Sequence, residues 1–484
     1  MIKKVLYNSI SILVSVICAC VYLGVLLNSV KSSLLIIPTI FFLIIGYVIL
    51  HKKGSAMYFN VCYLLMIIIQ IVVGYYLQVE YSSWDVHAVT QSAAALVNNE
   101  NFNELYFARY PNNIAILLLF TLIYKLTNFL FHSTSVQILI AINIVAIDIA
   151  VILGVKLLKM ICSEEGAYRG GIMMTMFAPF YLYVPICYTD TFSMPVVVGG
   201  VYWIIYYAKN HVTMSRWSRI LHLLGLGAVL FLGFKLKGSL IVILIAALMY
   251  FYFKFECRKF VKIIVSLMIG FSIAAIAWGQ GVKVLGFISD EEYDQYQFPA
   301  THWIMMGLEG LGNFNPDDVG YTLSFSTYDE KKEATVAKIF ERVEKLGCEG
   351  VVKQFYKKSV NYGWNYGTCY AERYIGDFGD MPIRRNILHE FVLSQGKWHQ
   401  QFYLITQSIW LFFFGAAILE FVLGVKNCNY ESLLLRLIIF GCMLFFMIWE
   451  THPRYILNYT PIVIIAGAMQ LDHLLSKIKE KVKK

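Results

Sequence analysis

The sequence predicts an all-α polytopic membrane protein, a bundle of 12–13 transmembrane helices with a loop domain on its outer face. Three observations predict this class. Of 484 residues, 58% are hydrophobic and 15% charged, against about 25% charged in a typical soluble domain. Mean hydropathy is +0.63. Apolar runs of about 20 residues recur along the chain, each long enough to cross roughly 30 Å of hydrocarbon. The runs are continuous rather than alternating, which selects helices over the strands of a barrel.

In chain order the apolar spans are 5–30, 33–50, 56–78, 114–131, 135–157, 168–187, 191–208, 219–235, 239–255, 261–286, 402–425, 432–449 and 454–473. The first follows Lys3 and Lys4 and is too long for a signal-peptide core, so it is expected to stay as an anchor. The organisation is an N-terminal membrane region 1–285 with a first outer loop at 79–112, a large loop at 286–400, C-terminal membrane helices at 401–473 and a basic tail at 474–484.

Charge sets the orientation. Segment 286–400 carries 17 acidic and 12 basic residues, net −5, while the remainder is net +14. Basic residues bias short loops to the cytoplasm. They gather at Lys3–Lys4, His51–Lys53, Lys156/Lys159/Arg169, Lys209/Arg216/Arg219, Lys254–Lys262 and the tail. Loops 79–112 and 286–400 then face outward. Counts from the two ends collide between 112 and 156, where two apolar segments stand but the charges require an odd number of crossings. Either one of 114–131 and 135–157 is a half-span, or one basic loop breaks the trend. Because the cations flank hydrophobic spans, nucleic acid is not an expected partner.

Within 79–112, Val89, Ala93, Leu96 and Val97 suit an amphipathic helix on the membrane surface. The large loop is expected to hold a helix from Asp329 to about Lys345 and a turn at 313–318. The ten cysteines form no CxxC pair, so zinc and redox sites are not expected. Whether Cys348 and Cys369 pair stays open.

Ionisable groups at a membrane boundary are costly and point to function. Asp85, flanked by Trp84 and His87 just beyond the third span, is placed to take a proton from a hydroxyl; the competing role is a solvated or capping carboxylate. Asp190 ends an outer turn and could equally be an ordinary helix cap. Lys235 and Lys237 break the positive-inside trend; at i and i+2 only one is expected to point inward. Arg454 offers a planar fork for phosphate oxygens beside Glu450, His452 and Tyr455. His302 could touch a phosphate, though a lone histidine more often serves structure. Asp148 and Glu420 lie inside spans, where a proton relay or pairing with Lys125 or another helix are the alternatives. No Walker A loop or other nucleotide motif is present.

Taken in order, Trp84-Asp85, Tyr110-Pro111-Asn112-Asn113, Tyr188-Thr189-Asp190, Thr301-His302-Trp303 with Gly312-Asn313, and Glu450 with Pro453-Arg454-Tyr455 resemble the layout of GT-C membrane glycosyltransferases. The likeness is to the bacterial proteins related to protein mannosyltransferases and aminoarabinose transferases (glycosyltransferase family 39). The resemblance implies an inverting transfer of sugar from a polyprenyl-phosphate donor to a cell-envelope polysaccharide, glycolipid or other acceptor on the outer face of a bacterial plasma membrane. It implies Asp85 as base, Asp190 as second acid, Arg454 with Lys235 or Lys237 and His302 at the lipid phosphate, and Trp84, His87, Tyr110, Asn112, Glu450 and Tyr455 at the substrates. No cofactor is expected, and divalent metal dependence stays open because Asp85 lacks the adjacent Glu that some relatives carry. Membrane lipids, a polyprenyl-phosphate sugar synthase and a flippase acting upstream are the implied partners. Competing readings are a secondary transporter or lipid flippase coupled through Asp148 and Glu420, and a polysaccharide polymerase or ligase.

Overall fold

Continuous apolar sequence with few helix breakers folds into long helices, because only intrasegment hydrogen bonds satisfy the backbone in hydrocarbon. A computed structural model describes residues 2–50, 54–81, 84–377, 381–424 and 429–483. The basic turn at 51–53 and the last residue of the tail, Lys484, lie outside the described residues.

The elements run α1 (Ile2–Ser32), α2 (Ile36–Leu50), α3 (Ala56–Tyr76), β1 (Val79–Glu80), α4 (Asp85–Asn98), α5 (Glu104–Arg109), α6 (Ile114–Phe131), α7 (Val136–Ile161), α8 (Glu164–Thr175), α9 (Pro179–Leu182), α10 (Thr189–Phe192), α11 (Met194–Asn210), α12 (Arg216–Leu236), α13 (Ile241–Lys254) and α14 (Cys257–Leu285). The large loop then supplies α15 (Asp290–Tyr296), α16 (Ala300–Met306), α17 (Pro316–Leu323), α18 (Tyr328–Tyr356), β2 (Met381–Pro382) and α19 (His389–Val392). The chain closes with α20 (His399–Gly424), α21 (Tyr430–Ile448) and α22 (Thr460–Lys483). Among the described residues, ten helices are long and apolar enough to cross a membrane, and two shorter apolar helices join them.

Two layers of contacts define the ends of the bundle. At the tail end, Asp472 of α22 accepts from Ser163 N (2.9 Å), Ser163 Oγ (2.7 Å) and Arg169 (2.8 Å). Lys254 meets Glu431 there at 2.7 Å, and Lys3 donates to the Tyr252 and Phe255 carbonyls. At the opposite end the large loop covers the helix termini. Lys358 donates to the Met447 and Trp449 carbonyls at 2.7 Å, closing the C-terminus of α21, and β2 pairs antiparallel with β1.

This frame resolves the crossing conflict. Helix α3 ends at the loop end. Helix α7 starts there: a Cβ on Gly74, near the end of α3, would meet Ile140, and Asn143 donates to the Tyr183 and Val184 carbonyls. The other terminus of α7 lies at the tail end, beside Ser163. The chain between α3 and α7 therefore leaves and returns on one side. Helix α6 starts at the loop end with Asn113 bonded to Tyr188, and only residues 132–135 separate it from α7. It does not complete a crossing, although its length and composition would allow one. It packs against α4, which buries Val86, Val89 and Ala93.

The expected span 168–187 is corrected. It is a broken pass made of α8, a 12-residue helix, followed by turns around α9. Gly166, Gly170 and Gly171 make α8 thin enough for Asp472, Leu158 and Phe59 to reach its backbone, and Pro179 interrupts the helical bonding beyond it. Counting α8–α9 and leaving out α6, the described chain passes between the two ends twelve times. Small residues also set the α12–α14 packing, where Gly227 faces the Leu267 carbonyl and Gly270 faces Leu224.

In the loop, α18 extends further than the helix expected over 329–345 and bends at Gly347, whose φ is 62°. Asn315 caps α17 through the Asp317 N–H at 3.0 Å, as the turn signal at 313–318 suggested. Cys348 is an exposed free thiol and Cys369 a buried one, so the two do not pair.

Candidate functional site: a charged cluster in an aromatic cage

Helix starts build this site. Trp84 is extended and makes no capping bond, leaving Asp85 in the first turn of α4. Tyr188 is extended ahead of α10, which puts Asp190 in that first turn. Pro453 opens the 3₁₀ segment Pro453–Tyr459, which carries Arg454 toward both acids.

Arg454 Nη2 lies 3.7 Å from Asp85 Oδ2, and its Nε lies 4.0 Å from Asp190 Oδ2. Its guanidinium sits among the rings of Trp84 (4.8 Å), Tyr374 (5.0 Å), Tyr188 (5.2 Å) and Tyr455 (5.3 Å). A planar cation between ring faces is held in place and stripped of water. Asp190 also pairs with Lys237. Two acids and two cations thus neutralise each other.

The two acids differ in access. The Asp85 side chain keeps 35% of its surface open, against 2% for Asp190. Asp85 accepts from Tyr106 Oη at 2.7 Å, and Tyr188 Oη lies 3.1 Å from its other oxygen. Asn113 ties the two tyrosines together at 2.6 and 2.7 Å. A carboxylate fixed this way is oriented yet reachable. Asp190 is enclosed and serves to hold two cations.

Beside the cluster, Glu450 is buried and accepts from Tyr455 Oη at 3.2 Å. Burial pushes its carboxyl up to about 7. Lys358 is buried next to it, and burial brings its ammonium down to about 7.

The remaining candidates divide. Lys235 is half-buried against the Phe231 and Phe234 rings (5.7 and 5.9 Å), so Lys237 is the lysine that points into the cluster. Tyr110 packs on Tyr106, Phe298 and Trp303 at the margin, and Asn112 bonds Asn113 at 3.3 Å. His87 is two residues past Asp85, about 200° around the helix, and is partly buried on another face. His302 is not in the cluster. It is buried, its Nδ1 lies 2.7 Å from Thr322 Oγ1, and burial takes its ring down to about 4, so it remains neutral. Asp148 is buried facing Gln70 rather than Lys125, which is exposed. Glu420 lies 3.5 Å from His473 at the tail end.

Residue-by-residue reading missed Tyr106, Asn113, Tyr374 and Lys358. Asn113 and Tyr188 stood inside quoted patterns. Tyr374 lay in the aromatic-rich stretch after 354, which was a signal without an address.

Fold and cluster together define a polytopic helical integral membrane protein with a desolvated charge cluster at the end covered by its large loop. The chain belongs to a family described as conserved hypothetical integral membrane protein, with residues 15–475 matched. No curated protein matches the chain.

Proposed function

We propose that the protein is an inverting glycosyltransferase that moves a sugar from a polyprenyl-phosphate donor to an envelope acceptor at the loop end of the bundle. The observation that carries the reading is the reachable Asp85 carboxylate 3.7 Å from a buried, ring-clamped Arg454. A base and an anion-holding cation stand together at a membrane boundary. The basic residues near Lys3, Lys254 and Arg169 lie at the tail end, which under the positive-inside trend is cytoplasmic. The loop end is then outside, where lipid-linked sugars are the activated donors at hand.

In this scheme the acceptor hydroxyl gives its proton to Asp85 as its oxygen bonds the anomeric carbon. The bond from that carbon to the phosphate oxygen breaks, and its electron pair leaves with the polyprenyl phosphate. Arg454 shares its charge with that phosphate, backed by Lys237. Asp190 positions the two cations. Attack opposite the leaving group inverts the anomeric centre.

The test is transfer from a panel of polyprenyl-phosphate sugars to envelope extract by purified protein. Wild type is expected to transfer, and Asp85→Asn to be slower by about a hundredfold or more. Transfer that survives in Asp85→Asn removes Asp85 as base. No transfer from any donor in the panel, with transport of the same lipids across vesicles, replaces the reading with a flippase.

A further inference from the structure

Beside the cluster the loop presents a second aromatic group that the proposed chemistry does not use. Tyr366 and Tyr370 form a tilted pair with centroids 4.9 Å apart, and Tyr362 meets both edge-on at 6.3 and 6.4 Å. The His452 ring lies 5.5 Å from Tyr370 and 5.6 Å from Tyr374, so this group joins the Arg454 cage directly.

Three features separate it from core packing. First, Tyr366 and Tyr370 remain partly exposed, whereas Trp364, Trp410 and Phe414 alongside form a stacked and buried core. Second, among the described residues none of the Tyr362, Tyr366 and Tyr370 hydroxyls makes a hydrogen bond. Third, Cys369 and Tyr370 both hold left-handed backbone, with φ of 50° and 63°. Such strain in consecutive non-glycine residues persists only where neighbours impose it, and it gathers at functional sites. Here Tyr183 Oη holds the Cys369 carbonyl at 2.7 Å and Thr368 Oγ1 accepts from the Tyr370 N–H at 3.2 Å.

We propose that this tyrosine group binds a saccharide, and that the acceptor is therefore a glycan rather than a lipid headgroup or protein. Ring faces carry partial negative charge that attracts the C–H face of a pyranose. The three tyrosine hydroxyls, none of them bonded within the described chain, add polar contacts for its hydroxyls at the ring edges. The proposal rests on the glycosyl-transfer reading for its direction only; the binding itself does not require turnover.

The test is saturation-transfer NMR on the full chain in nanodiscs, with short oligosaccharides of glucose, mannose, galactose and N-acetylglucosamine as probes. Saturation of the tyrosine ring protons is expected to reach the ring C–H protons of at least one probe. Tyr366→Ala and Tyr370→Ala should each weaken binding by about tenfold, the worth of one lost stacking ring. Tyr366→Phe and Tyr370→Phe keep the ring faces and should weaken binding less than the alanine changes, which separates lost rings from misfolding. No signal with any probe, or signal unaffected by the alanine variants, overturns the proposal. Saccharide binding without transfer from any polyprenyl-phosphate sugar leaves this surface standing and removes the glycosyl-transfer reading. Transfer without saccharide binding does the reverse.

Discussion

Replacing Asp190 with Asn should destabilise the protein more than most single changes. Its carboxylate is enclosed, pairs with Lys237, and lies 4.0 Å from Arg454 Nε. At an effective dielectric of about 20, unit charges 4 Å apart attract by about 4 kcal/mol. The desolvation that enclosed these charges is already incurred in the fold. Removing the anion leaves two buried cations with Asp85 alone, and breaking a buried pair this way costs about 3–5 kcal/mol. The assay is reversible unfolding of the purified protein in mixed micelles by increasing fractions of a denaturing detergent. Asp190→Asn is expected to lose about 3 kcal/mol. The double variant Asp190→Asn/Lys237→Met removes an anion with its cation and should lose less than the two single variants summed, with a coupling of about 2 kcal/mol. A single variant within about 0.5 kcal/mol of wild type, or a double variant equal to the sum, refutes the argument that Asp190 holds these cations.

Glu450 should make stability fall with pH. Its folded value of about 7 stands above the ordinary 4.5, so across that window the folded chain keeps a proton that the unfolded chain has released. The stability Glu450 contributes below pH 4.5 is then lost as pH rises through 7; buried neutral His302, down at about 4, acts in the opposite sense, so the readout is the difference between wild type and Glu450→Gln in melting curves, which should decline across this range. At the tail end, Asp472→Asn strips Arg169 of its 2.8 Å partner and should cost about 3 kcal/mol in the same unfolding assay. Transfer per folded molecule should be unchanged, because this knot is a full bundle length from Asp85. Gly227→Ala puts a methyl against the Leu267 carbonyl and should lower stability by about 1–3 kcal/mol through forced separation of α12 and α14; an unchanged melting temperature would mean the helices part freely.

Hydropathy is additive along the chain, so the membrane class, the position of most helices and the large loop could be read from residue order alone. The same holds for the acids and cations at the loop end, since a charge next to an apolar run is unusual wherever the run packs. Asp85, Asp190 and Arg454 were legible for that reason, and they meet in space although 369 residues separate the first from the last. Where equally apolar segments differ in fate, composition has nothing to say. Helix α6 is as hydrophobic as a crossing helix, yet its two ends are tied to one side of the bundle by Asn113 and by the placement of α7. Segment 168–187 reads as a span, yet glycines and Pro179 break it. Lys235 and Lys237 have the same chemistry two residues apart, and the turn after α12 alone directs Lys237 onto Asp190. His302 resembles a ligand in isolation, and burial beside Thr322 makes it a neutral packing group. Tyr106, Tyr188 and Tyr374 became site residues by touching the charges, and Asn113 by tying Tyr106 to Tyr188. Local sequence sets what each segment prefers to be next to. Which charges share a low-dielectric space, and which of two like residues enters it, follows from how the helices pack, because Coulomb attraction and desolvation both depend on distances that exist only in the folded bundle.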